Sequence, residues 1–109
     1  MTPMREPTFL ILTALAIRAL HGYAVIQEVS ELSRGRVVLP PGTLYAALER
    51  LAAEGLVEPE RTEVIDGRNR RYYRLTDGGA QALAVDANRQ RQNAATAARR
   101  LKARTAGTR

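Results

Sequence analysis

The strongest constraint on the fold is a hairpin signal that follows three short segments with helical periodicity. Asp66-Gly67 is typical of a two-residue turn between antiparallel strands, and β-prone arms flank it at Leu56–Ile65 and Arg70–Leu75. Pro59 marks the first arm as an edge or bulged strand, because proline cannot donate to a sheet ladder. Three helices followed by such a hairpin predict a winged helix-turn-helix, which is a mainly α fold with a minor β part (α+β).

The three helical segments follow from the spacing of their apolar residues. The first is predicted from Glu6 to Leu20 and the second from Tyr23 to Ser33. A short β-prone piece at residues 37–39 precedes the third, which runs from Pro41 to Glu54. Gly55 then occupies the position where a left-handed C-terminal cap is expected.

A fourth helix is predicted from Asp77 to about Arg100, with Thr76 as its N-cap. Apolar residues recur along it at alternating four- and three-residue spacing, which resembles a coiled-coil seam made mostly of alanine. Such a seam buries little area, so we expect a dimer arm of modest strength. The chain should therefore divide into a winged helix-turn-helix at residues 1–76 and a C-terminal dimerisation helix at residues 77–109, with a frayed basic tail from Lys102.

The first helix, which follows a loose end at residues 1–5, is apolar around nearly its whole circumference. This pattern indicates burial on more than one side, and in so short a chain one side is expected to meet a second subunit. The residues predicted to form this homodimer interface, on the first and last helices, are Phe9, Leu12, Leu83, Ala87, Ala94, Ala98 and Leu101.

The net charge of +6 invites an anionic partner, but the charge is distributed unevenly. Residues 1–79 hold ten arginines and ten acidic residues, whereas residues 80–109 hold seven lysines or arginines against Asp86 alone. Net charge therefore does not identify the first 79 residues as a nucleic-acid binder, and the local arrangement of side chains must carry that argument.

Several classes of site are excluded by composition. Cysteine is absent and His21 is the single histidine, which excludes disulfides, thiolate metal sites and sites with two imidazoles. No catalytic carboxylate pair or phosphate-cradling glycine loop stands out, so we predict that the chain is not an enzyme and has no cofactor. The longest apolar run is shorter than the roughly 20 residues that span a bilayer, so no membrane partner and a cytoplasmic location are expected.

The third helix supplies the first candidate for DNA contact. Leu44, Leu48 and Leu51 should face the core, which leaves small and basic side chains on the opposite face. Threonine and arginine can bond phosphates or bases, and alanine methyls can touch a thymine methyl. The candidates are Thr43, Ala46, Ala47 and Arg50, with Tyr45 on the flank. An ordinary amphipathic surface helix remains the alternative, since alanine and arginine are good helix formers.

The hairpin is the second candidate, since residues 68–74 include four arginines. Two-residue alternation places Tyr73 and Leu75 on one face of the strand, where they should pack on the helices. The tip is then free to meet phosphate or the minor groove, and its candidate residues are Arg68, Asn69, Arg70 and Arg71. The alternative is a solvated turn whose charges protect a sheet edge.

The stretch His21-Gly22-Tyr23 is expected to separate the first two helices. In this interpretation His21 ends the first helix, Gly22 permits the turn, and Tyr23 packs or touches a phosphate. A role for His21 as a catalytic base or ligand is disfavoured, because no carboxylate lies nearer in sequence than Glu28.

Three motifs in this order resemble the PadR family of bacterial transcription regulators: residues 21–23, residues 41–57 and the run Arg71-Tyr72-Tyr73-Arg74-Leu75-Thr76 with Gly79 following. The resemblance covers about residues 9 to 84. It implies a homodimeric repressor released by a small molecule or another signal, with an effector site between the first and last helices at the dimer interface. By position, it implies DNA contacts for Thr43 and Tyr45, a wing at residues 68–71, and Tyr23 near the DNA backbone.

The sequence departs from the family pattern at one functional position. Family members that bind flat aromatic drugs use a tryptophan on the last helix, and this chain has none.

Two hypotheses for the function stay open from the sequence. The first is a sequence-specific, dimeric regulator of double-stranded DNA, and the second is a winged-helix interaction module that binds an acidic partner protein without specific DNA binding.

Overall fold

The computed structural model describes residues 3–107, and it confirms the predicted winged helix with a C-terminal helix. The elements in chain order are α1 (Glu6–Ala14), β1 (Leu20–His21), α2 (Gly22–Leu32), α3 (Pro41–Ala53), β2 (Val57–Ile65), β3 (Arg68–Leu75) and α4 (Asp77–Gly107).

The core lies where the first three helices meet the base of the sheet. Leu44 and Leu48 are fully buried and Leu51 is 1% exposed, which confirms the predicted inner side of α3. Burial of each such side chain stabilises the fold by about 1.5–3 kcal/mol. The other fully buried large side chains are Ile11, Leu12, Leu15, Val25, Val29 and Val57.

The burial of Leu12 corrects one prediction. Leu12 was expected at the dimer interface, but it is 0% exposed within the protomer and cannot reach a second subunit. The reason is that α1 packs against both α2 and α4, so its wide apolar surface is largely used within one chain. Phe9 is half-buried and stays a candidate for the interface.

Helix α1 ends at Ala14, earlier than predicted. Leu20 and His21, expected to complete that helix, pair instead with Tyr73 and Tyr72 as the antiparallel strand β1. The pairing extends the hairpin to three strands in the order β1–β3–β2 and buries Leu20 to 7% exposure. Long-range pairing therefore overrides the local helical pattern of this segment.

The β-prone piece at residues 37–39 forms no strand. Its first amide, on Val37, donates to the Ser33 hydroxyl at 2.9 Å. Leu39 enters the core instead of pairing with a neighbour. The hydrogen bond to the Ser33 side chain thus engages the Val37 amide, which would otherwise be free to pair with a strand.

The hairpin agrees with the sequence pattern. Asp66 and Gly67 have φ angles of +52° and +75°, as a two-residue turn between twisted strands requires. Strand β2 lies at the edge of the sheet, and its pairing with β3 is irregular between Pro59 and Thr62. The predicted edge position and bulge are both confirmed.

Helix α4 is longer than predicted. It continues to Gly107, so the tail from Lys102 that was expected to fray is helical to that residue, and the last two residues of the tail lie outside the described chain. Residues 80–106 contain no glycine or proline and many alanines, which favour helix. The result is an elongated molecule of 67 × 27 × 21 Å in which residues 91–107 are exposed throughout.

One buried charge was not anticipated from the sequence. Asp86 is 5% exposed, and its carboxylate accepts hydrogen bonds from the Arg89 guanidinium (3.0 Å), the Gln90 amide (2.9 Å) and the backbone amide of Met4 (3.4 Å). The bonds from Arg89 and Gln90 hold the pKa of Asp86 below its usual value. The bond to Met4 fastens part of the expected loose end to α4, while residues 1 and 2 of that segment lie outside the described chain.

Candidate nucleic-acid interface

The outward side of α3 is divided between two flanks. Thr43, Ala46, Ala47 and Arg50 border an open groove of about 810 Å³ between this helix and the start of α1. Thr43 and Ala46 are exposed, as predicted from the inward leucines. Ala47 is half-buried and packs on the core, so its expected place on the outermost face is wrong. Its position beside Leu48 and Leu51 on the helix turns it towards α1.

Arg50 is directed along this same flank. Its guanidinium donates to the Thr8 hydroxyl at 3.1 Å and lies 3.8 Å from the carboxylate of Glu54. Both partners are on the protein's own surface, so Arg50 joins α3 to α1 in this structure. Its predicted contact with DNA would require these two interactions to be exchanged for one with a phosphate or base.

Tyr45 lies on the other flank and covers the start of α2. A Cβ atom placed on Gly22 would be 2.6 Å from the Tyr45 hydroxyl oxygen and 2.8 Å from the nearest carbon of its ring. Any larger residue at position 22 would therefore displace the Tyr45 ring. Tyr45 keeps 44% of its surface exposed, so it can touch a ligand while bracing α2 against α3.

His21 has a different role from the one expected. It begins α2, because its Nδ1 atom accepts a hydrogen bond from the amide of Ala24 at 3.3 Å. The expectation that it ends the first helix is wrong, since that helix stops earlier and His21 belongs to β1. Its ring also meets the Tyr72 ring edge-on, with centroids 5.3 Å apart.

Tyr23, the next exposed residue along this surface, contacts the wing. The guanidinium carbon of Arg70 lies 4.9 Å from the centre of the Tyr23 ring, within the range of a cation–π interaction. Tyr45 beside Gly22, and the Tyr23–Arg70 pair that follows, lie on a surface that runs from α3 across α2 to β3, which we call the tyrosine face. The sequence predicted each of these three residues near DNA but did not indicate the contacts of Tyr45 with Gly22 and of Arg70 with Tyr23.

The arginines of the wing fall into a paired group and an unpaired group. Arg61 stacks 4.0 Å from the centre of the Tyr72 ring and pairs with Glu60 and Glu63, while Arg74 pairs with Glu58. These ion pairs neutralise Arg61 on β2 and Arg74 at the base of β3. Within residues 3–107, Arg68 and Arg71 form no ion pair, and Asn69 is exposed beside them. The unpaired positive charge therefore lies on β3, towards the tip.

The residues predicted for the dimer seam separate into two groups. Leu83 is half-buried and packs on the core of its own protomer, and Ala87 is half-buried beside it. Ala94, Ala98 and Leu101 are exposed on the distal half of α4, with Leu101 at 62% exposure. The structure of one chain leaves the seam as a prediction.

Other kinds of site find little support in the described part of the chain. Residues 3–107 contain no group of three acidic or histidine side chains arranged to hold a metal ion. None of the helices over the same residues has the length and apolar content needed to cross a membrane.

Comparison with known proteins then decides the family. The sequence profile of the transcriptional regulator PadR-like family matches residues 11–85. The chain belongs to the PadR family. The resemblance stated from the three sequence motifs is confirmed, and the chain is a PadR-family transcriptional regulator.

Individual relatives agree with this assignment. Transcriptional regulator Rv3488 of Mycobacterium tuberculosis is 46% identical over 76 residues, which cover 70% of this chain and 67% of that protein. The crystal structure of a PadR family regulator from Clostridium difficile R20291 superposes with a TM-score of 0.75 at 28% identity, over 89% of this chain and 99% of that one. Bacillus subtilis PadR, solved in complex with operator DNA, has a TM-score of 0.64 and 27% identity over 73% of this chain and 46% of its own.

The single histidine is expected to make the stability of this PadR-family chain sensitive to mild acid. Burial and the nearby positive charge of Arg70 lower the pKa of His21 in the folded state. The unfolded chain, with a histidine pKa of about 6.5, binds the proton first. Stability from neutral His21 is therefore complete above that pH and is lost as the pH falls through the lower, folded-state pKa. We expect urea denaturation to show a loss of about 1 kcal/mol, the usual worth of an N-cap.

His21→Asn is the matched control for this prediction. Asparagine accepts the same capping hydrogen bond but does not titrate. The variant should keep a constant unfolding free energy between about pH 6.5 and 5, a range that lies above the usual carboxylate pKa values. A wild-type chain with no slope there, or an asparagine variant with the same slope, would contradict the assignment to His21.

Proposed function

We propose that this PadR-family chain is a sequence-specific DNA-binding repressor that acts as a homodimer. In this proposal residues 1–76 form the DNA-binding part and residues 77–109 the dimerisation helix. The observation that carries it is the tyrosine face, which joins α3, the start of α2 and the wing into one surface beside the unpaired Arg68 and Arg71.

The side chains of this surface suit a DNA backbone and its bases. Arg68, Arg70 and Arg71 supply charge for phosphates, which dominate the affinity of most protein–DNA complexes. Tyr23 and Tyr45 offer hydroxyl groups from two helices that brace each other. Thr43 and Ala46 are exposed on the adjacent outward side of α3 and supply the base-edge contacts that specify sequence.

The homodimer is supported by the length of α4. Its distal half, residues 91–107, is exposed to solvent throughout the protomer. This half nevertheless carries Ala94, Ala98 and Leu101 at regular spacing. Most helical stability in proteins comes from packing of one face against a partner, which these residues lack within the protomer. A second copy of α4, joined by Phe9 from α1, would supply that packing.

Release by a small molecule is supported by a cavity of about 450 Å³ where the N-terminal segment, the end of α3 and the start of α4 meet. Its walls combine apolar and polar side chains: Pro3, Met4, Leu51, Leu56 and Ala82 on the one hand, and Arg5, Thr8, Arg50, Glu54 and Asp86 on the other. Ligand sites commonly combine apolar walls with polar groups that fix the orientation of the ligand. A ligand there would touch α4 and α3 together, as an effector of DNA binding must.

Fluorescence anisotropy with a labelled duplex from the chain's own upstream region tests the proposal. At about 0.15 M salt we expect binding at least roughly 10³-fold tighter than to a scrambled duplex of the same composition. Sedimentation should show two chains per duplex. Equal affinity for both duplexes would contradict a specific regulator of that region, and capture of an acidic protein in place of DNA would favour the interaction-module hypothesis.

A further inference from the structure

Thr76 links the start of α4 to the segment between α3 and β2. Its hydroxyl donates a hydrogen bond to the carbonyl of Gly55 at 2.6 Å and accepts one from the amide of Gly79 at 2.9 Å. Its own amide donates to the carbonyl of Leu56 at 3.1 Å. Thr76 therefore caps the start of α4 and at the same time holds the backbone that follows α3.

The segment that Thr76 holds is itself fixed to α3. Gly55 turns the chain with a φ of +77°, and the amide of Leu56 donates to the carbonyl of Leu51 at 2.9 Å. Val57 then opens β2 opposite Leu75, the residue before Thr76. The end of the DNA-facing helix, the base of the wing and the start of α4 are thus joined through backbone atoms.

The joint has almost no free space. A Cβ atom on Gly79 would overlap the carbonyl oxygen of Leu56 and lie 2.7 Å from a methyl carbon of Leu75. The first turn of α4 therefore packs directly on the backbone of Leu56 and on the side chain of Leu75, with no room for a Cβ atom at position 79. Such contacts transmit a rotation of α4 directly to α3 and the wing.

We infer that Thr76 is a positioning residue that sets the distance between the two DNA-binding surfaces of the dimer. The inference rests on the proposed homodimeric function. In this inference, the angle at which α4 leaves the winged helix determines the spacing between the two half-sites. The two hydrogen bonds of the Thr76 hydroxyl in turn hold that angle.

The length of α4 makes the dimer geometry sensitive to this angle. Helix α4 has 31 residues, which gives a length of about 46 Å at about 1.5 Å per residue. At that length a rotation of about 4° displaces the far end by about 3.4 Å, the rise of one base pair. A joint that yields by a few degrees would therefore absorb the translation of one base pair. Each base pair also turns the half-site by about 35° about the duplex axis, so a yielding joint should weaken the spacing preference and not shift it by a fixed step.

Two substitutions separate the functions of the hydroxyl. Thr76→Val keeps the shape of the side chain and removes both hydrogen bonds. Thr76→Asp keeps an acceptor for the Gly79 amide and so caps α4, but it has no donor for the Gly55 carbonyl. Thr76→Ser keeps both bonds and is the matched control.

The test is a set of duplexes that carry the two footprinted half-sites of the upstream region at the native spacing and at one base pair more or less, with a single half-site as reference. For the wild type and Thr76→Ser, we expect affinity at the native spacing to exceed the altered spacings by about tenfold or more. For Thr76→Val and Thr76→Asp, that preference should fall to about twofold. The affinity of these two variants for the single half-site should stay within twofold of the wild type. Their mass in solution should remain that of the dimer.

The outcomes distinguish the inference from the function on which it rests. A wild type that is monomeric, or that has no spacing preference, would overturn the proposed homodimeric function. A wild type with a clear preference that Thr76→Asp retains in full would overturn the inference alone. Equal losses on the single half-site and on the paired sites would also overturn it, because they would indicate a general loss of folding. If Thr76→Val does not fold, Thr76→Asp decides the matter, since its α4 cap is intact.

Discussion

Replacing Arg68, Arg70 and Arg71 together by alanine is expected to weaken binding to the upstream duplex by about 10²- to 10³-fold at 0.15 M salt. Each charge-assisted hydrogen bond to a phosphate contributes about 1.5–3 kcal/mol, and these losses are only partly additive. The salt dependence should also change, because each phosphate contact contributes about 0.9 to the slope of log affinity against log salt. We expect that slope to fall by about 2 to 3, as measured by anisotropy titrations across a salt series.

The matched control removes the same amount of charge elsewhere. Arg91, Arg99 and Arg100 lie on the exposed half of α4, away from the wing, and their replacement by alanine lowers the net charge by the same three units. If the position of the charges on the wing determines binding, this variant should keep its DNA affinity within about tenfold of the wild type. An equal loss for both variants would show that total charge, and not the wing, determines binding.

Gly79→Ala is expected to give the largest loss of stability among single substitutions outside the core. Its Cβ would overlap the Leu56 carbonyl oxygen, which is backbone fixed by bonds to Leu51 and Thr76. Relief requires α4 to move away from the winged helix, and overpacking of this kind costs about 1–3 kcal/mol or more. In a domain of this size we expect the melting temperature to fall by about 10–15 °C, as measured by calorimetry or circular dichroism.

Gly78→Ala is the control for that prediction. A Cβ at Gly78 meets only the Gly55 carbonyl oxygen at 3.4 Å and the Thr76 hydroxyl at 3.7 Å, which are ordinary contacts. Alanine also stabilises a helix by up to about 1 kcal/mol relative to glycine. Gly78→Ala should therefore melt at the wild-type temperature or a few degrees above it, and a drop as large as that of Gly79→Ala would contradict the packing argument.

Elements with a local physical cause could be predicted from the sequence. The turn at Asp66-Gly67 requires two positive φ angles, the inner side of α3 follows from helical spacing, and the Thr76 cap precedes a helix-forming run. Each of these signals lies within a few residues of the structure that it specifies. The same is true of the bulge near Pro59.

Features that depend on distant partners could not be predicted. Leu20 and His21 fit a helical pattern, but they form a strand because β3 offers an unpaired edge. The tight contact of Tyr45 with Gly22 and the engagement of Arg50 by Thr8 join residues that the sequence keeps far apart.

The length of α4 shows a different limit. The helix was expected to end near Arg100, yet alanine propensity carries it to Gly107. Periodicity identifies the face that a helix can bury, whereas propensity determines how far the backbone continues. The two criteria diverge at the end of α4, where residues 91–107 continue as a helix that no described part of the protomer covers.

Site-directed cleavage of DNA tests the central claim, that Thr43 and the arginines beside Asn69 face one duplex. The sequence has no cysteine, so Thr43→Cys, Asn69→Cys and Gln92→Cys each offer a single attachment point for an iron chelate that cuts nearby DNA. The first two variants are predicted to cut the upstream duplex within the same half-site, and the third, on the exposed part of α4, to cut it weakly or not at all. Strong cutting from position 92 with none from position 43 or 69 would contradict the account.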